Sequence, residues 1–267
     1  MFQAFRRWRR NRLISRSSLD PALWRETLER LTFLRALTKA EQERLRVNVI
    51  LFLHYKSLQG AGGLALDAAM QLLIAAQACI LILNLDIDYY SGWVEVIVYP
   101  DEFVPKHEVT DEHGVVHIER MPRAGEAWLQ GPVILSWADV APSGDADGVN
   151  VVIHEFAHKL DMLNGDANGC PPLHRGMSRD DWSQAFGSAY ADFCRRVDAG
   201  EALAIDPYAA ESPAEFFAVL SEAFFEIPET VSRLYPRVYA QLALFYRQDP
   251  LARSAQEFSG KSTRAGT

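Results

Sequence analysis

The sequence predicts an α+β fold in which helices flank a short β region. Three observations favour it: helical stretches between residues 20 and 83, strand-like runs between 93 and 137, and helical periodicity again from 151 onward. At 267 residues and 49% hydrophobic content, the chain can bury a sizeable core. We therefore expect one domain over residues 19–253, with an N-terminal helical part (19–90) and a second part (91–253) that carries the candidate site.

The two ends of the chain differ in composition from this domain. Residues 1–18 contain six arginines and no acidic residue before position 20, which predicts a basic, flexible arm. Its aromatic residues, Phe2, Phe5 and Trp8, leave open a role at a membrane surface. No apolar run follows the charged stretch, so it does not resemble a secretory signal. The tail, 254–267, is rich in Gly, Ser and Thr and is predicted to be disordered.

The N-terminal part predicts three helices. Pro21 marks a start, and two further helices are expected over Ala40–Tyr55 and Asp67–Leu83. The glycine-rich segment Gln59–Gly63 lies between the last two. It lacks the Lys-Ser/Thr pair with which a phosphate loop holds phosphate and magnesium, so it is predicted to be a turn.

Charge, hydropathy and cysteine content favour a cytoplasmic protein. The longest apolar stretch, Leu72 to Leu83, is too short to span a bilayer. Cys79, Cys170 and Cys194 are odd in number and widely spaced, as expected for reduced thiols. The net charge of −8 disfavours a nucleic-acid-binding protein.

The β region predicts strands over Trp93–Tyr99, Val115–Arg120 and Pro132–Trp137, which are rich in β-branched and aromatic residues. It also contains His107, His113 and His117. On strands and turns a spacing of four does not direct two side chains to one point, so no second metal site is expected here. Helices are predicted again over three later ranges: Asp181–Val197, Pro213–Phe225 and Glu229–Tyr246.

The pentapeptide His154-Glu155-Phe156-Ala157-His158 has the form H-E-x-x-H. On a helix, His154 and His158 project from one face about one turn apart, where two imidazoles can reach one zinc ion. Glu155 then points to the side, where it can accept a proton from water instead of binding the metal. The alternative is a pair of ordinary histidines on a helix face. The spacing favours a zinc-dependent hydrolase.

The residues around the motif predict the helix it needs. Val152, Phe156 and Leu160 repeat at intervals of four and can bury one face. Asn164-Gly165 supplies a stop.

Catalytic zinc usually has three protein ligands, so a third residue is required. Asp161 lies one turn after His158 and is the nearest candidate in the sequence. Glu215 is the stronger candidate, because a glutamate on a second helix completes the site in Glu-zincins. Ser212-Pro213-Ala214-Glu215 is, however, also a capping box, in which Glu215 would only bind a backbone N–H. Both interpretations stay open at this level, while Glu222, seven residues on, could orient a ligand or lie on a solvated face.

These residues resemble the Mlc titration factor A family. The resemblance covers roughly residues 30 to 251, and its blocks are Ile153–Asp161, Tyr208–Ala210, Pro213–Glu222, Gly131–Leu135 and Phe245–Leu251. It implies a zincin-like (gluzincin) metallopeptidase of the bacterial cytoplasm, related to the catalytic domain of the lethal-factor toxin. It also implies binding to Mlc, a transcriptional repressor of glucose-phosphotransferase genes.

Carried onto this chain, the resemblance implies one zinc ion held by His154, His158 and Glu215. Glu155 would be the base and Tyr208 a donor to the transition state, and cleavage could be of the aminopeptidase type. Pro132–Trp137 is then the candidate edge strand for an extended peptide substrate. The rival interpretation is a protein that sequesters a repressor and keeps zinc for structure, although structural sites normally have four protein ligands, commonly with Cys.

Overall fold

The computed structural model describes residues 2–101, 106–110, 116–120, 125–127 and 131–253. The predicted disordered tail lies outside these residues. Ten helices are found in the described ranges: α1 Phe2–Arg16, α2 Pro21–Arg30, α3 Lys39–Tyr55, α4 Ala68–Leu81, α5 Trp137–Val140, α6 Val151–Asp161, α7 Arg179–Asp198, α8 Pro213–Glu226, α9 Pro228–Leu234 and α10 Pro236–Tyr246. Six strands accompany them: β1 Ser57–Gly60, β2 Glu95–Tyr99, β3 Lys106–Thr110, β4 Val116–Arg120, β5 Gly125–Ala127 and β6 Val133–Ser136. The predicted α+β class is confirmed.

The main sheet has four strands in the order β1-β2-β6-β5. β1, β2 and β6 are parallel, and β5 pairs with β6 in the antiparallel direction. β3 and β4 form a separate antiparallel pair. Because β6 is hydrogen-bonded on both sides, the expectation that Pro132–Trp137 forms an edge strand was wrong, and β5 occupies that edge instead.

The glycine-rich segment after α3 is only partly a turn. Ser57–Gly60 pairs in register with Glu95–Val98, so the predicted turn begins with two strand residues. Gly60 could not carry a side chain, since an added Cβ would lie 2.0 Å from the Leu64 carbonyl oxygen. The sequence signal for this strand was weak because four residues are too few to show a period of two.

The basic N-terminal segment is helical over α1, whereas the sequence suggested a flexible arm. Arg6 forms an ion pair with Asp88 at 2.6 Å, and Arg10 pairs with Asp86 at 3.0 Å and Asp88 at 2.5 Å. Phe5 and Trp8 stay exposed and stack on each other at 5.9 Å. The acidic partners lie almost eighty residues away in the sequence, so nothing local to the arm indicated them.

The C-terminal helices match the predicted ranges with one difference. The predicted helix Glu229–Tyr246 is two helices, α9 and α10, because Pro236 starts a new helix at its first position. Proline lacks the backbone N–H that would continue the first helix and clashes with the preceding turn. Across the described part of the chain, no helix combines the length and apolar character that crossing a membrane requires.

Candidate metal centre

Helix α6 carries the H-E-x-x-H motif and is held between core and site. Asn150 caps its start, since its side-chain oxygen accepts from the Ile153 backbone N–H at 3.0 Å. Val152, Phe156 and Leu160 are fully buried, as their spacing predicted. One face of the helix is thereby committed to the core. His154 and His158 project from another face.

The two histidines and Glu215 converge on one point. The Nε2 atoms of His154 and His158 lie 3.2 Å apart, and Glu215 Oε2 lies 2.9 Å from the first and 3.2 Å from the second. Together, one nitrogen from each ring and one carboxylate oxygen fall within 4.8 Å of one another. Two imidazole nitrogens and a carboxylate oxygen form a donor set that zinc commonly takes.

Glu222 decides how the His154 ring presents its nitrogens. Its Oε1 lies 2.7 Å from His154 Nδ1, so the carboxylate holds the proton on that nitrogen. Nε2 then carries a lone pair directed at Glu215 and His158. A lone pair facing a carboxylate is repulsive unless a proton or a cation lies between them. These residues therefore fit a metal ion.

The two interpretations of Glu215 describe different atoms of the same residue. Its backbone N–H donates to Ser212 Oγ at 3.1 Å, which caps α8 as the sequence suggested. Its carboxylate lies beside the two histidines and makes no reciprocal hydrogen bond to the Ser212 backbone in the described structure. Capping therefore orients the residue and leaves the carboxylate for the site.

Asp161, the other candidate third ligand, is not part of this cluster. Its Oδ2 accepts backbone N–H groups of Asn168 and Gly169 at 2.8 and 2.7 Å. It is fully buried and holds the loop after α6 in place. Among the described residues, the group that could hold a metal ion contains Glu215 and not Asp161.

Glu155, which lies between the two histidines in the sequence, is buried, with 4% of its surface exposed. Its Oε2 atom has no hydrogen-bond partner among the described residues. Burial raises the pKa of Glu155 to about 7, even though His154 and His158 favour its charged form. A buried carboxyl with a free oxygen beside the cluster is suited to exchange a proton with a reactant.

The histidines and Glu215 polarise one another. Burial lowers the pKa of His154, but hydrogen bonds to Glu215 and Glu222 outweigh it and hold that pKa well above its ordinary value. Burial would raise the pKa of Glu215, but its hydrogen bonds to His154 and His158 lower it far below its usual range. The Glu215 carboxylate is therefore held in its charged form by a proton on the His154 ring, and a metal ion would take the place of that proton.

Tyr208 lies near His154, in a 3₁₀ turn over Pro207–Ala210. Asp206 caps this turn by accepting the Tyr208 backbone N–H at 2.9 Å. The ring centroids of Tyr208 and His154 are 6.1 Å apart, and 49% of the tyrosine is exposed. The phenol is thus close to the histidines and accessible from solvent.

A network of buried hydrogen bonds around Asn150, here called the brace, adjoins the cluster and was not predicted from the sequence. Glu222 also accepts the backbone N–H of Asn150, and Glu226 accepts the Asn150 side-chain N–H at 2.8 Å and the Ala146 N–H at 2.9 Å. Gln77 of α4 accepts a further bond from Asn150 at 2.7 Å. The i, i+4 spacing of the two glutamates and the N-cap asparagine were visible signals. Their meeting across two helices was not.

The histidines of the β region lie at positions whose side chains the structure does not describe. His107 and His117 lie on β3 and β4, of which only the backbone is described, and His113 lies outside the described residues. The cysteines Cys79, Cys170 and Cys194 are free thiols, in agreement with the sequence prediction.

Comparison with known proteins identifies the family. The model of the glucose-regulated metallo-peptidase M90 family matches residues 5–247. The chain belongs to this family. The match begins further toward the N-terminus than the resemblance over residues 30 to 251, so most of α1 is included in it.

Curated relatives share most of the chain. Mlc titration factor A of Klebsiella pneumoniae is 40% identical over 232 residues, which is 86% of this chain and 87% of that protein. The protein of the same name from Salmonella gallinarum is 44% identical over 222 residues, covering 81% and 83%. That from Escherichia coli is 40% identical over 235 residues, covering 86% and 87%. The resemblance to the Mlc titration factor A family is therefore confirmed.

Proposed function

We propose that this protein is a zinc-dependent peptidase with a zincin-like catalytic domain, active in the cytoplasm. The observation that carries the proposal is the convergence of His154 Nε2, His158 Nε2 and Glu215 Oε2 beside the buried Glu155. Membership of a metallo-peptidase family supports it. The proposed catalytic unit comprises residues 19–253.

Each residue has a proposed task in peptide hydrolysis. Zinc, when bound by His154, His158 and Glu215, supplies a Lewis acid that polarises the attacking water and the scissile carbonyl. Glu155 takes the proton from that water and passes it to the leaving amine. The phenol of Tyr208 donates a hydrogen bond to the oxyanion as it forms. Glu222 keeps His154 in the tautomer that leaves Nε2 available.

The sheet suggests where an extended peptide would lie. β5 is the edge strand beside β6, and it is antiparallel to the rest of the sheet. An edge strand offers unpaired backbone groups to a further strand. Backbone hydrogen bonds would hold a peptide there in an extended conformation. Side chains near the candidate metal centre would then determine which peptide sequences bind.

A second proposed activity is binding to a transcriptional repressor. The relatives are named Mlc titration factor A, so an Mlc-like repressor is the proposed partner. In the rival form of this proposal the protein sequesters the repressor without catalysis and zinc is structural. A buried glutamate in the base position, together with a group of three potential ligands among the described residues, favours an enzyme.

Glu155→Gln tests the enzyme and the sequestering protein against each other. We expect zinc content, measured by mass spectrometry, to be unchanged and peptide turnover to fall about 10²–10⁴-fold, the usual contribution of a general base. Repressor binding should persist. Glu211→Gln, at an exposed position outside the cluster, is the matched control and should behave as the parent. Turnover within a few-fold of the parent in Glu155→Gln would remove the base from the mechanism.

The same assay addresses the type of cleavage. Peptides with free and with acetylated N-termini are compared at equal sequence. Loss of cleavage upon acetylation indicates an aminopeptidase, and cleavage of both forms indicates an endopeptidase.

A further inference from the structure

A cavity of about 350 Å³ lies between helix α1 and the 3₁₀ turn Ile87–Tyr90. Its volume is within the range of small-molecule sites. The charged groups that line it are Arg6, Arg9, Arg10, Lys56 and Asp88, and its aromatic walls include Tyr55 and Trp93. None of the residues of the candidate metal centre lines it.

The cavity carries an excess of positive charge. Asp88 pairs with Arg6 and Arg10, and Arg10 also binds Asp86 at the edge of the cavity. Arg9 and Lys56 form no ion pair with any carboxylate in the part of the chain that the structure describes. Within the described ranges, two of the four cationic side chains that line the cavity therefore have no anionic partner.

Lys56 is the more unusual of these two. It is only 8% exposed, and its ammonium donates to the carbonyl oxygens of Tyr90 and Trp93, the latter at 2.6 Å. It also lies 3.8 Å from the centroid of the Trp93 ring. Carbonyls and an aromatic face partly compensate a buried cation, but an anion compensates it more fully. Burial and, secondarily, Lys159 lower the pKa of Lys56 to about 8.

We propose that this cavity binds a small phosphomonoester, with its phosphate on Arg9 and Lys56 and its carbon part against Tyr55 and Trp93. A phosphate dianion matches the two unpaired cations in charge. The guanidinium presents a fork of donors that fits two phosphate oxygens, while an ammonium acts as a point charge. The aromatic walls account for an organic group and not for phosphate alone.

The ligand would lie apart from the candidate metal centre, whose residues do not line the cavity. Trp93, which lines the cavity, packs against Phe156 of α6 at 5.6 Å between ring centroids. Phe156 is on the buried face of that helix, opposite the metal-facing histidines. This second site is independent of the proposed peptidase activity, and its test does not depend on turnover.

Isothermal titration calorimetry of the full chain with phenyl phosphate and with inorganic phosphate, at constant ionic strength, tests the proposal. We expect saturable 1:1 binding of phenyl phosphate and weaker binding of inorganic phosphate. Equal affinities would remove the aromatic walls from the proposal and leave free phosphate as the ligand. Absence of saturable binding by either compound would overturn it.

Matched variants on α1 distinguish specific binding in the cavity from nonspecific attraction of the phosphate to a basic helix. Arg9→Gln should weaken binding about tenfold, as expected for the loss of one charge-assisted interaction. Arg7→Gln makes the same charge change two residues away, outside the cavity lining, and should change affinity less than twofold. Equal weakening by both variants would mean nonspecific electrostatic attraction and would overturn the proposal.

Two further variants close the remaining alternatives. Lys56→Met keeps the length of the side chain and should abolish binding while leaving the thermal midpoint within a few degrees, which shows that the fold persists. Full binding by a folded Lys56→Met protein would overturn the proposal. Glu215→Gln should bind the ligand as the parent does. If binding is lost there and kept in Arg9→Gln, the phosphate occupies the candidate metal centre instead.

Discussion

The two ends of helix α8 use the same side chain in opposite ways. At its start, the Glu215 carboxylate faces two histidines. Burial favours the neutral form of this carboxylate, but its hydrogen bonds to the histidines outweigh burial and hold its pKa far below the usual range. At its end, Glu226 faces the neutral Asn150 side chain and the Ala146 backbone. Burial there raises its pKa to about 7. The chemistry of each glutamate follows from the charge of its partner.

Glu222 lies between these extremes. Burial raises its pKa, and its hydrogen bond to His154 opposes that change. It touches the cluster through His154 Nδ1 and the brace through the Asn150 backbone. The three glutamates of this helix thus have three different surroundings, which fit a proposed ligand, a carboxylate that orients a histidine and a member of the brace. We expect the effect of substitution on zinc binding to fall along that order.

Glu215→Ala should have the largest effect on zinc. The binding free energy of structural zinc, ~10–16 kcal/mol over four ligands, implies roughly 10²–10³ in affinity for each ligand. Competition titration with a chelator measures it. Asp161→Ala is the control at the other candidate position. If only Asp161→Ala lost zinc, the assignment of the third ligand would reverse.

Tyr208→Phe sharpens the comparison at the same end of α8. The phenol is proposed to act on the transition state, so kcat and kcat/KM should fall together by roughly 10–10³-fold with little change in KM. Zinc content should stay at the parental level because the hydroxyl is not a ligand. An unchanged kcat would assign Tyr208 to packing alone.

Glu222→Gln should weaken zinc binding about 10–100-fold, the usual cost of losing a partner that orients a ligand. The amide can still accept from His154 Nδ1, but it no longer carries the charge that strengthens the ring as a donor. Chelator competition again gives the affinity. An effect as large as that of Glu215→Ala would show that Glu222 itself binds the metal.

Glu226→Gln should change zinc affinity less than threefold and act on stability instead. The folded pKa of Glu226, about 7, lies above its ordinary value of 4.5, so the folded state binds the extra proton. Its contribution to the free energy of unfolding is therefore lost as pH rises from about 4.5 to about 7, by up to about 3 kcal/mol.

Urea denaturation of parent and variant across this pH range measures the effect. The parent should lose stability relative to the glutamine variant as pH rises. A constant difference between the two proteins would show that Glu226 is ionised throughout, and the contrast with Glu215 would disappear.

Local spacing was enough to predict helix α6 and the shared face of its two histidines. The period of 3.6 places His154 and His158 on one face and Val152, Phe156 and Leu160 on another, and α6 has this arrangement. Both properties belong to one short segment, so no information about distant residues was needed. The same reasoning explains why most helices were predicted to within two residues.

The pairing between strands could not be predicted from local spacing. A run of β-branched residues predicts a strand but not its neighbours, and the interior position of β6 depends on β5 and β2. The helix α1 was missed for a related reason. Its charged partners, Asp86 and Asp88, are distant in the sequence and look like ordinary solvated acids.

Glu215, the proposed third ligand, lies at the boundary between what local sequence predicts and what tertiary packing decides. Ser212 and Glu215 predict a helix start, and they do form one, but whether the carboxylate bends back to its own backbone or faces α6 depends on which helix packs alongside. The same holds for Asn150, whose cap is local and whose contacts with Glu226 and Gln77 are not. Hydrogen bonds within a turn are encoded by neighbours in the chain, whereas the partner of a side chain across two helices exists only once burial has brought their faces together.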